Sequence, residues 1–227
     1  MNLYIIVEGR RTEKKVYPAW LAHLIPDLKS VNWAYEVSNK NYYLFNGNGF
    51  PSLLHNHLKN SIAEVNEYAK FNYLVLILDV DETTVNSRID EVNEFLKENN
   101  LELNDNTELV ILPQNRCIES WFLGNKKVFK QNPQSPNLIK YVQFYNVKNN
   151  DPEKMGLYPS FNTHSQFHVD YCTEFLRERN IRYSKNKPNG VVDKDYLENL
   201  ILRSENTNHL KSFKNFIEFC NKVNSEI

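Results

Sequence analysis

Residues 73–78 read YLVLIL, and the next six, DVDETT, turn at once to acids and hydroxyls. An apolar run this short cannot cross a membrane as a helix, which needs about 20 residues. Its near-continuous hydrophobicity, bounded by Asn72 and Asp79, is the pattern of a strand buried on both faces. Strands of that kind occur in parallel sheets covered by helices, so this stretch directs the chain towards an α/β architecture.

The rest of the N-terminal half agrees. Leu3 to Val7 is a second short buried strand. Residues 11 to 25 carry Val16, Trp20, Leu21 and Leu24 at helical spacing, with a kink or restart expected at Pro18. Tyr35 to Val37 and Tyr42 to Phe45 are weaker strand candidates. Pro51 to Ala69 is an amphipathic helix with Leu54, Leu58, Ile62 and Val65 on one side. Thr84 caps a helix running through Glu98, Leu109 to Leu112 is a strand closed by Pro113, and Cys117 to Leu123 is helical. Strand and helix thus alternate over residues 1–125, the expected first domain, a mainly parallel sheet flanked by helices. The second region, 126–227, is expected to be an irregular linker or lid followed by a helical C-terminal extension. Its helices fall near 162–180, 193–203 and 206–225, the last burying Leu210, Phe213, Ile217, Cys220 and Val223.

Composition excludes several classes. A formal charge of −1 gives no bulk electrostatic attraction to nucleic acid, so any basic surface must be local. The three cysteines, Cys117, Cys172 and Cys220, are odd in number and far apart, which argues against a disulfide framework and for a reducing, cytoplasmic setting. No signal peptide and no membrane span is expected. Six glycines leave no phosphate-cradling loop. His164, His168 and Cys172 recur every four residues, but as a soft-metal stripe they lack a fourth ligand, and packing explains them better.

The acids carry the chemistry. Asp79 and Asp81 leave the strongest strand as it enters a loop, and Glu8 leaves the first strand in IIVEGRRTEKK. The C-terminal edge of an open α/β sheet is where such folds build their sites. Hard carboxylate oxygens with open positions suit Mg²⁺ or Mn²⁺. Aspartates of this kind are also common turn residues, a reading that weakens once Glu8 is counted with them. Arg10, Arg11 and Lys14 follow Glu8 at a helix start, where a phosphate would meet charge and amide donors, or where a solvated helix face would stand. Arg177, Arg179, Arg182, Lys185 and Lys187 surround Tyr183, and the Pro188–Gly190 turn could present Lys187 to a site.

A hydrophobic strand ending in Glu8-Gly9, then helix, strand and helix, then a second strand ending in Asp79-Val80-Asp81, resembles the Toprim domain of topoisomerases, primases and OLD-type nucleases. The resemblance covers roughly residues 3 to 125. It implies a Rossmann-like sheet on which Glu8, Asp79 and Asp81 bind Mg²⁺, with Glu8 also able to move a proton. VEGRRTE is similar to the OLD-type form, in which a second acid, here Glu13, follows; Glu119 in RCIESWFL resembles a further acidic position. The chain departs from topoisomerases in lacking an obvious nucleophilic tyrosine, from primases in lacking a zinc-binding cysteine set, and from full OLD proteins in lacking an attached ATPase.

What remains resembles a stand-alone Toprim nuclease, an endonuclease effector of bacterial anti-phage defence. Such an effector implies a nucleic-acid substrate (DNA or RNA, tRNA among them), a separately encoded ABC- or AAA-type ATPase as partner, and room for a homodimer. Two alternatives stay open. DVDETT also resembles the first motif of haloacid-dehalogenase-type phosphatases, with Asp79 as nucleophile and Asp81 as general acid. A catalytically inactive Toprim-like subunit that only binds a partner is the other.

Overall fold

The structure, a computed structural model, describes residues 1–227. Five strands form one all-parallel sheet: β1 (Asn2–Val7), β2 (Lys29–Val31), β3 (Asn41–Asn46), β4 (Tyr73–Asp79) and β5 (Glu108–Gln114), in the order β2-β3-β1-β4-β5. Three helices connect them: α1 (Glu13–Leu24), α2 (Lys59–Tyr68) and α3 (Val85–Glu98). The α/β class expected from the sequence is therefore the one observed, and a parallel sheet flanked by helices is consistent with a Rossmann-like Toprim arrangement.

The register follows from the apolar runs. β1 lies between β3 and β4, with Tyr4 opposite Tyr43 and Leu74, and Val7 opposite Asn46 and Ile77. The even-numbered residues Tyr4, Ile6, Leu74, Leu76 and Leu78 join Leu54, Leu58, Ile62 and Val65, with Val92 and Phe95 of α3, in one core. The alternate residues Leu3, Ile5, Val75 and Ile77 are also buried, so both faces of the central strands are covered.

Several local expectations need correction. Pro18 does not break α1, which runs unbroken from Glu13 to Leu24. The amide that proline lacks would have met the carbonyl of exposed Lys14, where solvent can serve instead. Tyr35 to Val37 is no strand: Ala34–Glu36 form a single tight turn, because Glu36 Oε2 accepts the amides of Asn32 and Trp33 at 3.0 and 3.1 Å. The second strand is instead the polar edge segment KSV, which carries no apolar signal. The helix expected from Pro51 opens with a widened turn over Leu53–Leu58 before α2 begins.

Residues 125–160 are also more ordered than a linker. They hold α5 (Pro136–Phe144), capped by the Ser135 hydroxyl and begun by proline, and a tight turn over Pro152–Lys154. Then come α6 (His164–Arg177), a short antiparallel pair β6 (Tyr183–Ser184) and β7 (Lys187–Pro188), α7 (Lys194–Asn206) and α8 (Lys211–Glu226), close to the three helices expected. A short helix, α4 (Ile118–Phe122), follows β5. No helix is long and apolar enough to cross a membrane, and all three cysteines are free and buried.

The sequence suggests a boundary near residue 125. Contacts divide the chain into one unit of Met1–Leu78, Thr83–Pro113 and Glu218–Ile227, and another of Asp79–Glu82 and Gln114–Ile217. The first is built on the sheet. The second has its own core, in which Trp121 meets Phe213 and Phe216, and the Tyr141 ring meets Phe167 and Tyr171.

Candidate functional site

In the first unit, β1 pairs through Val7, and the backbone continues its ladder one residue further: the Glu8 amide donates to the Ile77 carbonyl at 3.0 Å. Glu8 also accepts twice from the loop after β3. Its carbonyl takes the Gly49 amide at 3.1 Å, and Oε1 takes the Phe50 amide at 3.1 Å. The carboxylate is thus fixed at a strand end, half-buried. The buried guanidinium of Arg88, on α3, lies 3.7 Å over the centre of the Phe50 ring and puts a cation beside the same loop.

Gly9 is required by the next acid. The buried carboxylate of Glu13, in the first turn of α1, occupies the space that a Cβ at position 9 would fill. Arg10, Arg11 and Lys14 are all exposed around that helix start.

In the second unit, Asp79 closes β4 and the chain then makes two backbone bonds to the end of β5 and the loop after it. The Val80 amide donates to the Gln114 carbonyl and the Asp81 amide to the Arg116 carbonyl, both at 3.0 Å. Asp81 and Arg116 both have left-handed backbones, φ 51° and 71°, which is uncommon away from glycine and tends to mark functional sites. The Arg116 guanidinium donates to the Asp81 carbonyl at 2.7 Å, and Asp81 Oδ1 accepts the Ser165 hydroxyl at 2.6 Å.

The neighbouring acid meets the start of α6. Glu82 accepts the His164 amide at 2.7 Å and pairs with its ring Nδ1 at 2.5 Å. Partial burial raises the Glu82 pKa, but those His164 contacts outweigh it and hold the carboxyl below its ordinary range. One turn on, His168 is fully buried with Nδ1 against the Ser120 hydroxyl at 2.8 Å. Burial, and then His164, pushes its pKa down to about 3, so the ring is neutral at physiological pH.

Asp79 and Glu119 share a buried neighbour, the Cys117 thiol. Burial, then the charges of Glu119 and Asp79, push that thiol well up, while Lys185 opposes them. Glu119 is itself buried and its Oε1 accepts the Tyr183 hydroxyl at 2.7 Å. Lys185, from the Tyr183 basic cluster, thus bears on the Cys117 thiol, and Lys187 is exposed in β7.

Of the acids singled out from the sequence, Glu8 and Glu13 belong to the first unit and Asp79, Asp81 and Glu119 to the second. Their oxygens suit a hard divalent cation, and two of them, Asp79 and Glu119, act together on one buried atom. No three His, Cys, Asp or Glu side chains are gathered in a ready-made metal group. Glu8, Asp81 and Glu119 each hold a protein hydrogen bond that a cation would replace or share. The sequence did not single out Arg88, Arg116, Glu82 or Ser165. Glu82 lies within DVDETT and Ser165 beside His164, but neither residue had a role of its own there.

These features define an α/β protein with acids at the C-terminal ends of its parallel strands. The chain matches no family model, and neither a curated protein nor a solved structure matches it.

Proposed function

We propose that this protein is a Mg²⁺-dependent endonuclease that cleaves nucleic-acid phosphodiesters. The observation that supports this most is the construction of the β4 end. Asp79 ends a strand whose other residues are all buried, and left-handed Asp81 is fixed at its carbonyl by Arg116 and at its carboxylate by Ser165. A carboxylate fixed at both its backbone and its side chain suits a ligand or catalytic role.

In this reading Asp79, Asp81 and Glu119 hold the cation, and the Toprim resemblance implies Glu8 and Glu13 as further ligands. Bound there, Mg²⁺ supplies an activated water and a counter-charge for the leaving oxygen. Arg116 keeps Asp81 in place through its backbone. Lys185, in the β6–β7 hairpin, is a basic residue available to the substrate's phosphate, and Arg10, Arg11 and Lys14 are further substrate-binding candidates. Lys187 is the further basic residue available to the polynucleotide. Glu8, anchored by the Phe50 amide, moves the proton. A near-neutral nuclease needs control, which favours a defence effector released or positioned by a separate ATPase over a housekeeping enzyme.

The test is cleavage of supercoiled DNA, single-stranded RNA and tRNA by purified protein in Mg²⁺, alongside a generic phosphomonoester. Nicking or shortening of a polynucleotide, lost with EDTA, is the expected result. Phosphate release from the monoester alone would transfer Asp79 and Asp81 to dehalogenase-type chemistry. Neither activity, with no Mg²⁺ binding by calorimetry, would leave the inactive interaction subunit.

A further inference from the structure

Trp33 and Tyr35 are among the most exposed large hydrophobic residues of the chain, at 57% and 58%. They are stacked on each other, ring planes 9° apart and centres separated by 6.4 Å. An exposed aromatic pair held parallel presents a broad π face to solvent. Trp33 borders a groove of about 470 Å³ in the first unit, and none of the acids singled out from the sequence lines it.

The groove's floor and wall follow from the sheet and α2. Tyr4 of β1 and Tyr43 of β3 are register partners whose rings meet edge to face at 5.1 Å, and Phe45 continues the same face two residues on. From α2 come Glu64, Glu67 and Tyr68. Glu64 Oε2 accepts the Tyr4 hydroxyl at 2.7 Å, while Glu67 is exposed. Partial burial, then the charges of Glu64 and Glu67, raise the Tyr68 phenol, and Tyr35 adds to them.

No lysine or arginine lines this groove. Aromatic faces together with carboxylates attract a cation twice, through the ring quadrupole and through charge. The same carboxylates repel a phosphate backbone, so a nucleic acid is a poor occupant despite the aromatic rings. We infer that this groove docks an arginine- or lysine-bearing segment of a protein partner, whose cationic side chain lies between the Trp33–Tyr35 stack and Glu64 and Glu67. The site is separate from the proposed nuclease chemistry and does not depend on it.

Trp20 and Trp121 are fully buried, so the quenchable tryptophan fluorescence of the intact protein comes from Trp33. Caesium should quench it more strongly than iodide. A capped hexapeptide of alternating glycine and arginine should shift the emission saturably and protect it from acrylamide, and the matching glycine–glutamine peptide should not. Glu67→Gln, on an exposed helix face, and Tyr35→Ala should each weaken the arginine peptide about two- to fivefold, the scale of one exposed charge or cation–π contact. Unchanged far-UV circular dichroism would establish that both variants fold. Absence of a saturable arginine-peptide signal, or affinity unmoved by both substitutions, overturns the inference. Tighter binding of a ten-residue oligothymidylate than of the arginine peptide overturns it too, and makes the groove a nucleobase platform.

Discussion

Asp81 and Arg116 hold each other reciprocally. The Asp81 amide donates to the Arg116 carbonyl at 3.0 Å, and the Arg116 guanidinium donates back to the Asp81 carbonyl at 2.7 Å. Both residues sit at positive φ, so each supports the other's uncommon backbone. Arg116→Ala removes the side-chain half of this arrangement and leaves the Asp81 carbonyl with one partner fewer. A cost of about 1–3 kcal/mol in urea unfolding is expected, as for a part-buried charge-assisted hydrogen bond. If Arg116 positions Asp81 for the proposed reaction, Arg116→Ala loses cleavage at concentrations where it remains folded. A variant of unchanged stability and activity would show that the guanidinium is idle.

Asp81→Asn separates charge from conformation. Asparagine tolerates the left-handed region as well as aspartate does, and its amide oxygen can still accept the Ser165 hydroxyl. Stability should therefore change by less than about 1 kcal/mol, while Mg²⁺-dependent cleavage is lost. Asp79→Asn should behave alike in activity. Normal cutting by both variants would remove these residues from the site.

The buried His168 makes stability depend on pH. Its folded pKa lies near 3, far below the ordinary histidine value, because burial disfavours the charged ring. As pH falls below about 6.5 the unfolded chain takes up a proton that the folded chain refuses, so stability is lost by about 1.4 kcal/mol per pH unit until the folded value is reached. His168→Asn cannot titrate yet can still meet the Ser120 hydroxyl. Between pH 7 and pH 5 the wild-type protein should lose about 2 kcal/mol more than this variant, measured by urea unfolding at both pH values. Equal losses would mean that the ring is protonated in the folded state.

Much of this architecture is legible in the sequence because its cause is burial. The YLVLIL strand, the Leu54-Leu58-Ile62-Val65 stripe and the Leu210-to-Val223 stripe of the last helix are all patterns of what must leave water, and each is buried as the pattern requires. The edge strand KSV and the Ala34–Glu36 turn were not legible, because neighbouring-strand hydrogen bonds and the Glu36 carboxylate create them. The helix within residues 125–160 was masked by Asn, Gln, Lys and Pro, although Ser135-Pro136 is a recognisable start. The acids at strand ends could be picked out as candidates, since strand ends are predictable. The partners of Asp81 could not: Arg116 and Ser165 meet it through tertiary contacts that no spacing rule encodes.

Glu8 offers the sharpest test of the proposed chemistry, because its structural and chemical roles can be pulled apart. The strand beneath it is held by backbone: the Glu8 amide bonds to Ile77 and its carbonyl accepts the Gly49 amide, and neither needs the side chain. The carboxylate accepts the Phe50 amide at Oε1, a bond that a glutamine oxygen can accept equally well. Glu8→Gln should therefore fold with stability within about 1 kcal/mol of wild type, since only a neutral acceptor replaces a charged one. Its cleavage rate should fall by a factor of about 100 or more if Glu8 moves a proton. Glu8→Asp keeps the charge but withdraws it by one methylene, away from both the Phe50 amide and any cation, whose coordination geometry is strict. It should fail nearly as badly and lose some stability as well. The two variants thus diverge in unfolding experiments and agree in activity assays. A Glu8→Gln protein that cuts polynucleotide in Mg²⁺ at the wild-type rate would reduce Glu8 to a loop anchor for Phe50, and the Toprim chemistry would fall with it.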